Sequence, residues 1–459
     1  MNKRPEDLDT TLDPAMKSWL AEANDPACDF PIQNLPMCRF IDAASDHHPE
    51  LPKIGVAIGD RVLNLDLLLH AGLLGDDETT ETIDYALHTG ASNYVMDEPA
   101  LWKRIREKSQ AFLRDGHVGQ QARRLRDKAV LPMTAVTFVN PCDIGDYPDF
   151  YARIPHARNV GAMFRPDNPL LPNYKHIPIG YHGRSSSIVH SGTAIKRPSG
   201  QTNTDNAPLP TFGPCKRLDY ELEVGCYISA GNVQGDSIPI DHAHEHVFGI
   251  GLVNDWSARD VQAWEYQPLG PFLAKNFATS VAPFVVTRGV LELFRLPGPP
   301  RESGDPAPLP YLSPAAGGEG ADWTLDVHLE VLIETAAMRE KKIAPFRVSL
   351  GNLKDMYWTF PQMIAHHTSG GCNLEPGDLL ASGTVSGPAA SSRGCLLEMS
   401  WQGNGPDGKP LPRKPIELPS GEKRTFLEDG DRVIMRGWME RPGYPRIGLG
   451  SCDGLILPA

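Results

Sequence analysis

Apolar and polar positions alternate over short stretches through most of this chain. From residue 137 onward, Gly and Pro interrupt the pattern every ten residues or so. The clearest runs cover residues 218–228, 247–253, 323–334, 396–401 and 432–438. Runs this short with a period of two predict strands, so this part of the chain is expected to be mainly β with few helices. One helix stands out: Asn352 is a good N-cap, the helical pattern continues to about His367, and Gly370 and Gly371 end it. The Pro- and Gly-rich stretch 296–320 has no periodicity and reads as a surface excursion, and 403–419 reads as a long turn.

The first 137 residues have a different texture. A polar lead is followed by alternating segments over 53–64, which predict a small β structure. Residues 99–131 then place Trp102, Ile105, Phe112 and Leu113 at helical spacing among many charges, the pattern of an amphipathic helix pair. Single domains rarely grow past ~250–300 residues. A chain of 459 residues is therefore expected to divide into an N-terminal unit, 1–137, and a larger unit, 138–459, that carries the chemistry.

Composition narrows the function. With 41% hydrophobic and 22% charged residues the chain is an ordinary globular protein. Its formal charge of -13 argues against nucleic acid or an anionic membrane surface as partner, yet it would not repel a divalent cation. No stretch approaches the ~20 apolar residues of a membrane span, and the first 21 residues are polar and acidic, so the expected location is cytoplasmic. The eight cysteines never fall two to four residues apart, which disfavours a zinc ribbon or a redox pair and suits small core thiols.

Several segments carry candidate chemistry. In the run 218–224, Glu221 and Glu223 project from one strand face ~7 Å apart. Acidic alternation alone more often marks a solvated face. Asp149 and His156, seven residues apart, have the spacing of one helix side; with Pro155 ending a helix over 146–154, Asp149 lies on it and His156 falls on the following turn. A histidine there is by itself more often structural. Asp255, Arg259 and Gln262 follow the apolar run 247–253, at a strand end where catalytic groups often sit, and Lys275 lies among apolar residues. Thr384 sits among small residues, and Glu398 interrupts the apolar run 396–401, a costly position unless a partner meets it.

Taken together these segments resemble the long, two-domain branch of the fumarylacetoacetate hydrolase family. Asp149-Phe150-Tyr151, His156-Ala157, Asn159-Val160-Gly161, Gly180-Tyr181-His182-Gly183-Arg184, Asp255-Trp256-Ser257-Ala258-Arg259-Asp260, Pro268-Leu269-Gly270-Pro271-Phe272 and Ala381-Ser382-Gly383-Thr384 occur in the family's order. The likeness runs from about residue 135 to 457. It implies a mixed β-roll or β-sandwich catalytic domain and a smaller N-terminal β-containing domain of the SH3-like barrel type. It also implies Asp149, Glu221, Glu223 and Asp255 as metal ligands, with Lys275 and Thr279 near an additional cation. Four converging carboxylates would repel by roughly 3 to 4 kcal/mol per pair at an effective dielectric near ~20, and an all-oxygen set suits Ca²⁺ or Mg²⁺.

The same resemblance places Tyr151, Arg165, Gln262, Tyr266 and Thr384 against the substrate and makes His156 with Glu398 the water-activating pair. Arg259, Gln262 and Lys275 would stabilise the oxyanion. The implied reaction is hydrolysis of 4-fumarylacetoacetate to fumarate and acetoacetate, the last step of tyrosine and phenylalanine catabolism, by a homodimer. Two rivals stand beside it: another 1,3-diketo or 2-oxo acid hydrolase or decarboxylase on the same scaffold, and a catalytically silent metal-binding protein.

Overall fold

The computed structural model describes residues 10–45, 48–74, 80–116, 119–203, 207–298, 301–406 and 410–459. The alternating runs become strands of two main sheets. The larger has 13 strands. Its path runs Val130–Pro132, Arg61–Asn64, Lys53–Ile58, Met37–Ile41, Phe284–Thr287, Val247–Asp255, Leu222–Ile228, Leu379–Ala381, Tyr147–Phe150, Gly180–Gly183. Most neighbours are antiparallel, but Leu379–Ala381 pairs in parallel with Tyr147–Phe150 and Thr279–Val281 in parallel with Ile188–His190. The second sheet orders Phe346–Asn352, His328–Glu334, Arg432–Met439, Ile447–Leu457 and Ile195–Lys196. The body is mainly β, as its alternation predicts, and most of its helices are short connections.

The sheet path crosses from N-terminal strands to later ones where Met37 pairs with Val285 and Cys38 with Phe284. The apolar cluster beneath follows it. It joins Ile54, Val56, Leu63, Leu101, Trp102 and Ile105 to Tyr227, Phe248, Val253 and Val285. The helix pair predicted over 99–131 is present as Pro99–Leu113 and Gln120–Ala129. The first buries Leu101, Trp102, Ile105, Phe112 and Leu113, the apolar face its spacing predicts.

Three local expectations are corrected. Asn352 caps only a single 3₁₀ turn, Leu353–Asp355, where it accepts from Lys354 N at 2.8 Å. The helix begins at Phe360 and ends at Thr368, behind Thr359, which forms a capping box with Gln362. Pro361 explains the difference: deep inside a helix starting at Asn352 it would cost a backbone hydrogen bond, but it fits the first turn of this one. The run 396–401 is not a strand but the short helix Leu396–Met399. Its first amides, Leu396 N and Leu397 N, both donate to the Asp219 carboxylate, at 2.8 and 2.9 Å. Six apolar-rich residues cannot distinguish strand from helix by period alone. Finally, residues 146–154 form no helix: Tyr147–Phe150 is a strand, and Pro155 opens the helix Ile154–Phe164 instead of closing one.

Gly383 follows the central strands at φ +73°, and a Cβ there would stand 2.1 Å from the Phe150 carbonyl oxygen. Only glycine meets both constraints. Gly383→Ala should lower stability by at least ~1 kcal/mol, read as a lower urea midpoint with an unchanged denaturant slope.

Candidate active site

Strand register gathers the acids. Asp149 pairs with Ala381, Ala381 with Gly225, Glu223 with Val253 and Asp255 with Thr279. Paired residues share a face, as do residues two apart along a strand. Asp149, Glu223 and Asp255 therefore rise from one face of three strands, and each offers an oxygen within 4.8 Å of the others. Tyr181, paired with Asp149, joins the same face, as does Thr279. Tyr181 OH donates to Asp255 Oδ2 at 2.9 Å, and Thr279 Oγ1 to Asp255 Oδ1 at 3.1 Å.

Water cannot dilute this charge. Asp149, Glu223 and Asp255 are buried, and Asp149 Oδ1 and both Glu223 carboxyl oxygens have no hydrogen-bond partner among the described residues. Burial first, and then neighbouring carboxylates, push the Asp149 and Glu223 pKa values well above the ordinary carboxylate range. Such a set must hold protons or a cation. Its donors are all oxygen, which fits a hard divalent ion.

Glu221 lies beside this trio and is compensated differently. Its Oε1 meets Arg259 Nη1 at 2.7 Å, and its Oε2 is paired with Lys275 Nζ. That ammonium also donates to Asp255 Oδ2 at 2.6 Å, so Lys275 bridges Glu221 and Asp255. Burial alone would raise the Glu221 carboxyl, but Arg259, Lys275 and His156 outweigh it and hold the carboxyl low. The Lys275 ammonium, which burial would discharge, is held charged by Asp255 and Glu221. Its loop is fixed from behind, where the Glu265 carboxylate accepts from the amides of Phe272, Leu273 and Ala274 at 2.8, 3.1 and 2.8 Å.

His156 sits in the first turn of its helix, buried, with Nδ1 at 2.6 Å from Glu398 Oε2. Four further contacts immobilise that glutamate: Ser386 Oγ donates to Oε2 at 2.6 Å, Cys395 Sγ to Oε2 at 3.2 Å, Asn159 Nδ2 to Oε1 at 2.7 Å, and Arg393 Nη1 to its backbone carbonyl at 2.6 Å. Burial would raise the Glu398 pKa, but the His156 charge and these hydrogen bonds bring it down to about 2. Tyr151 meets His156 edge-on with ring centroids 5.3 Å apart. Arg165 closes the same helix, and Phe164 brings that end against Tyr266, rings 5.6 Å apart. Gln262 Oε1 accepts from Arg259 Nη1 at 3.3 Å, while Arg259 Nη2 is buried without a protein partner among the described residues. Thr384 is buried directly after Gly383.

Sequence reasoning missed four members of this arrangement. Asp219 accepts from Arg259 Nε at 2.9 Å while it caps the helix of Glu398, so one carboxylate joins both halves of the site. Its signal was its place in the alternating acidic run. Tyr181 was visible only as part of a motif, since the strand Gly180–Gly183 is too short to show a period. Asn159 was likewise visible only inside a motif and Ser386 not at all, because contacts across 239 and 12 residues create their roles.

Sequence comparison places this architecture. Residues 147–454 match the family described as Fumarylacetoacetate (FAA) hydrolase C-terminal, and residues 33–141 match Fumarylacetoacetase N-terminal. The chain belongs to the fumarylacetoacetate hydrolase family, and it is a hydrolase. Among individual relatives, it is 44% identical over 437 residues to the fumarylacetoacetase of Bos taurus, covering 94% of this chain and 97% of that protein. It is 42% identical over 453 residues to the fumarylacetoacetase of Arabidopsis thaliana, covering 97% and 99%. A solved structure of fumarylacetoacetate hydrolase from the psychrophilic Exiguobacterium antarcticum aligns with a TM-score of 0.47 and 17% identity, over 93% of this chain and all of that one.

The Glu398 carboxyl gives a pH test. Its folded pKa, about 2, lies below its ordinary value of 4.5. The stability it contributes is thus complete above pH 4.5 and lost as pH falls toward 2. Glu398→Gln should be less stable than the wild type at pH 6, and the gap should narrow by pH 3, as measured by urea unfolding across that range.

Proposed function

We propose that this chain hydrolyses the carbon-carbon bond of 4-fumarylacetoacetate to fumarate and acetoacetate, closing tyrosine and phenylalanine catabolism. The observation that carries this reading is a buried histidine, held through Nδ1 by a buried glutamate, beside three convergent carboxylates with unpartnered oxygens. The extended identity to fumarylacetoacetases supports it over a decarboxylase on the same scaffold. A silent metal-binding protein would have no use for the His156–Glu398 pair.

In this reading Asp149, Glu223 and Asp255 hold a divalent cation, Ca²⁺ or Mg²⁺, with Lys275 and Thr279 beside it; Glu221, expected as a fourth ligand, would join them only by releasing Arg259 or Lys275, which now take both its oxygens. Bound there, the cation would polarise the oxygens of the enolised 1,3-dicarbonyl as a Lewis acid. His156 takes a proton from water at Nε2, while Glu398 keeps Nδ1 protonated and the ring aligned. The resulting hydroxide attacks the carbonyl. Arg259 through its free Nη2, Gln262 and Lys275 stabilise the oxyanion. As the adduct collapses, Lys275 meets the charge of the departing enolate until it is protonated. Tyr151, Arg165, Gln262, Tyr266 and Thr384 orient the substrate.

The reading extends to the whole molecule. The catalytic unit is taken to begin near residue 138, after an N-terminal unit ending at 137. A homodimer is supported by Leu209 and Phe212 on the hairpin Ser199–Thr202/Thr211–Pro214 and by Leu269 and Phe272, all strongly exposed around the helix Arg259–Glu265. A cytoplasmic location fits eight cysteines that are all free. No helix among the described residues is long and apolar enough to cross a membrane.

His156→Ala should lower turnover of 4-fumarylacetoacetate roughly 100-fold or more, with cation affinity nearly unchanged. Glu223→Gln should do the reverse, weakening Mg²⁺ or Ca²⁺ binding first. EDTA should abolish loss of diketo-acid absorbance, and either cation should restore it. Near-normal turnover by His156→Ala would place water activation elsewhere.

A further inference from the structure

Far from the acid cluster, the N-terminal region gathers a second set of metal-ligating atoms of different chemistry. Asp66, His70 and His88 each offer one, all within 4.8 Å of one another. We infer that these three residues form a binding site for a divalent transition metal of the zinc class, independent of the hydrolytic reaction.

The helix Leu65–His70 presents Asp66 and His70 four positions apart, hence on one face. The helix Thr80–Thr89 brings His88 to that face near its own end. Both imidazoles point Nδ1 at Asp66 Oδ1 from 3.4 Å. That separation is long for a hydrogen bond. It matches the edge of a tetrahedron, ~3.3 Å for ligand bonds of ~2.0–2.1 Å. The two rings lie with centroids 5.2 Å apart, inclined by 25°. Two imidazoles converging tetrahedrally on one ion would separate their centroids by about the same distance.

The surroundings suit the same occupant. Lys53 Nζ, fully buried, lies 3.3 Å from Asp66 Oδ2 and anchors that oxygen. The other oxygen is left facing the histidines, the kind of outer contact that orients a ligating carboxylate. Asn64 Oδ1 accepts from Asp66 N at 3.1 Å and fixes the start of the helix. Both histidine side chains are 44% exposed, so an ion has an entry path and a fourth position for water. His70 Nδ1 also lies 2.8 Å from the Asp66 carbonyl, a hydrogen bond the ring must give up to bind. Two nitrogens and one oxygen select zinc-class ions, whereas the all-oxygen cluster around Glu223 selects hard ones.

That contrast permits a clean test on the full chain. EDTA-treated protein, returned to excess Mg²⁺ to fill oxygen-ligand sites, is titrated with Zn²⁺ by calorimetry and with Co²⁺ by visible absorption. The wild type should take up one equivalent of Zn²⁺ and give the strong bands of tetrahedral Co²⁺. His88→Ala, at an exposed position, should weaken this binding at least ~10-fold with its far-UV dichroism unchanged, and His70→Ala likewise. Glu223→Gln should retain the equivalent. Failure of the wild type to bind Zn²⁺ under Mg²⁺, or equal binding by wild type, His70→Ala and His88→Ala, would overturn the site.

Discussion

Concentrated negative charge in a dry place governs this structure. Asp149, Glu221, Glu223 and Asp255 are buried together, and their repulsion must be offset within the molecule because water cannot reach them. Two buried cations, Arg259 and Lys275, answer part of it, chiefly through Glu221 and Asp255. The unpartnered oxygens of Asp149 and Glu223 mark what remains. Much of the nearby architecture serves these two cations. Glu265 clamps the loop that delivers Lys275, and Asp219 anchors the guanidinium of Arg259.

Asp219 extends that constraint to the other half of the site. Its carboxylate accepts from Arg259 Nε and from the amides opening the helix of Glu398. Glu398 in turn fixes the His156 imidazole. The acid cluster and the histidine–glutamate pair therefore share one rigid connection. A shift at Arg259 would be felt at His156 through three short hydrogen-bonded steps and no flexible loop.

The fold was legible in sequence where a period of two persisted: 432–438 writes it because part of that strand faces solvent, whereas Leu222–Ile228 is buried throughout and its alternating acids mark the face of the site, not a solvated one. It was obscured where chemistry is local and runs are short. Glu398 sat in an apolar run readable as strand, and only a carboxylate 177 positions away in sequence decides for helix. Pro155 read as the end of a helix and is the start of one, since the two roles differ only in which neighbours turn helical. In the site, the charged residues stood out by their company in motifs. Tyr181 and Asn159 lay inside motifs without a role of their own and Ser386 in none of them, because their importance comes from register and from distant partners.

The unbroken path of the large sheet has a consequence for inheritance. Met37–Ile41 covers the edge of Phe284–Thr287, which pairs with Val247–Asp255, whose last residue is Asp255. An alteration that loosens the first strands uncovers a row of unpaired amides on the strand next to the one that carries Asp255. Lesions far from the reacting groups and lesions among them can then produce one phenotype, a chain that associates or is degraded before it can act.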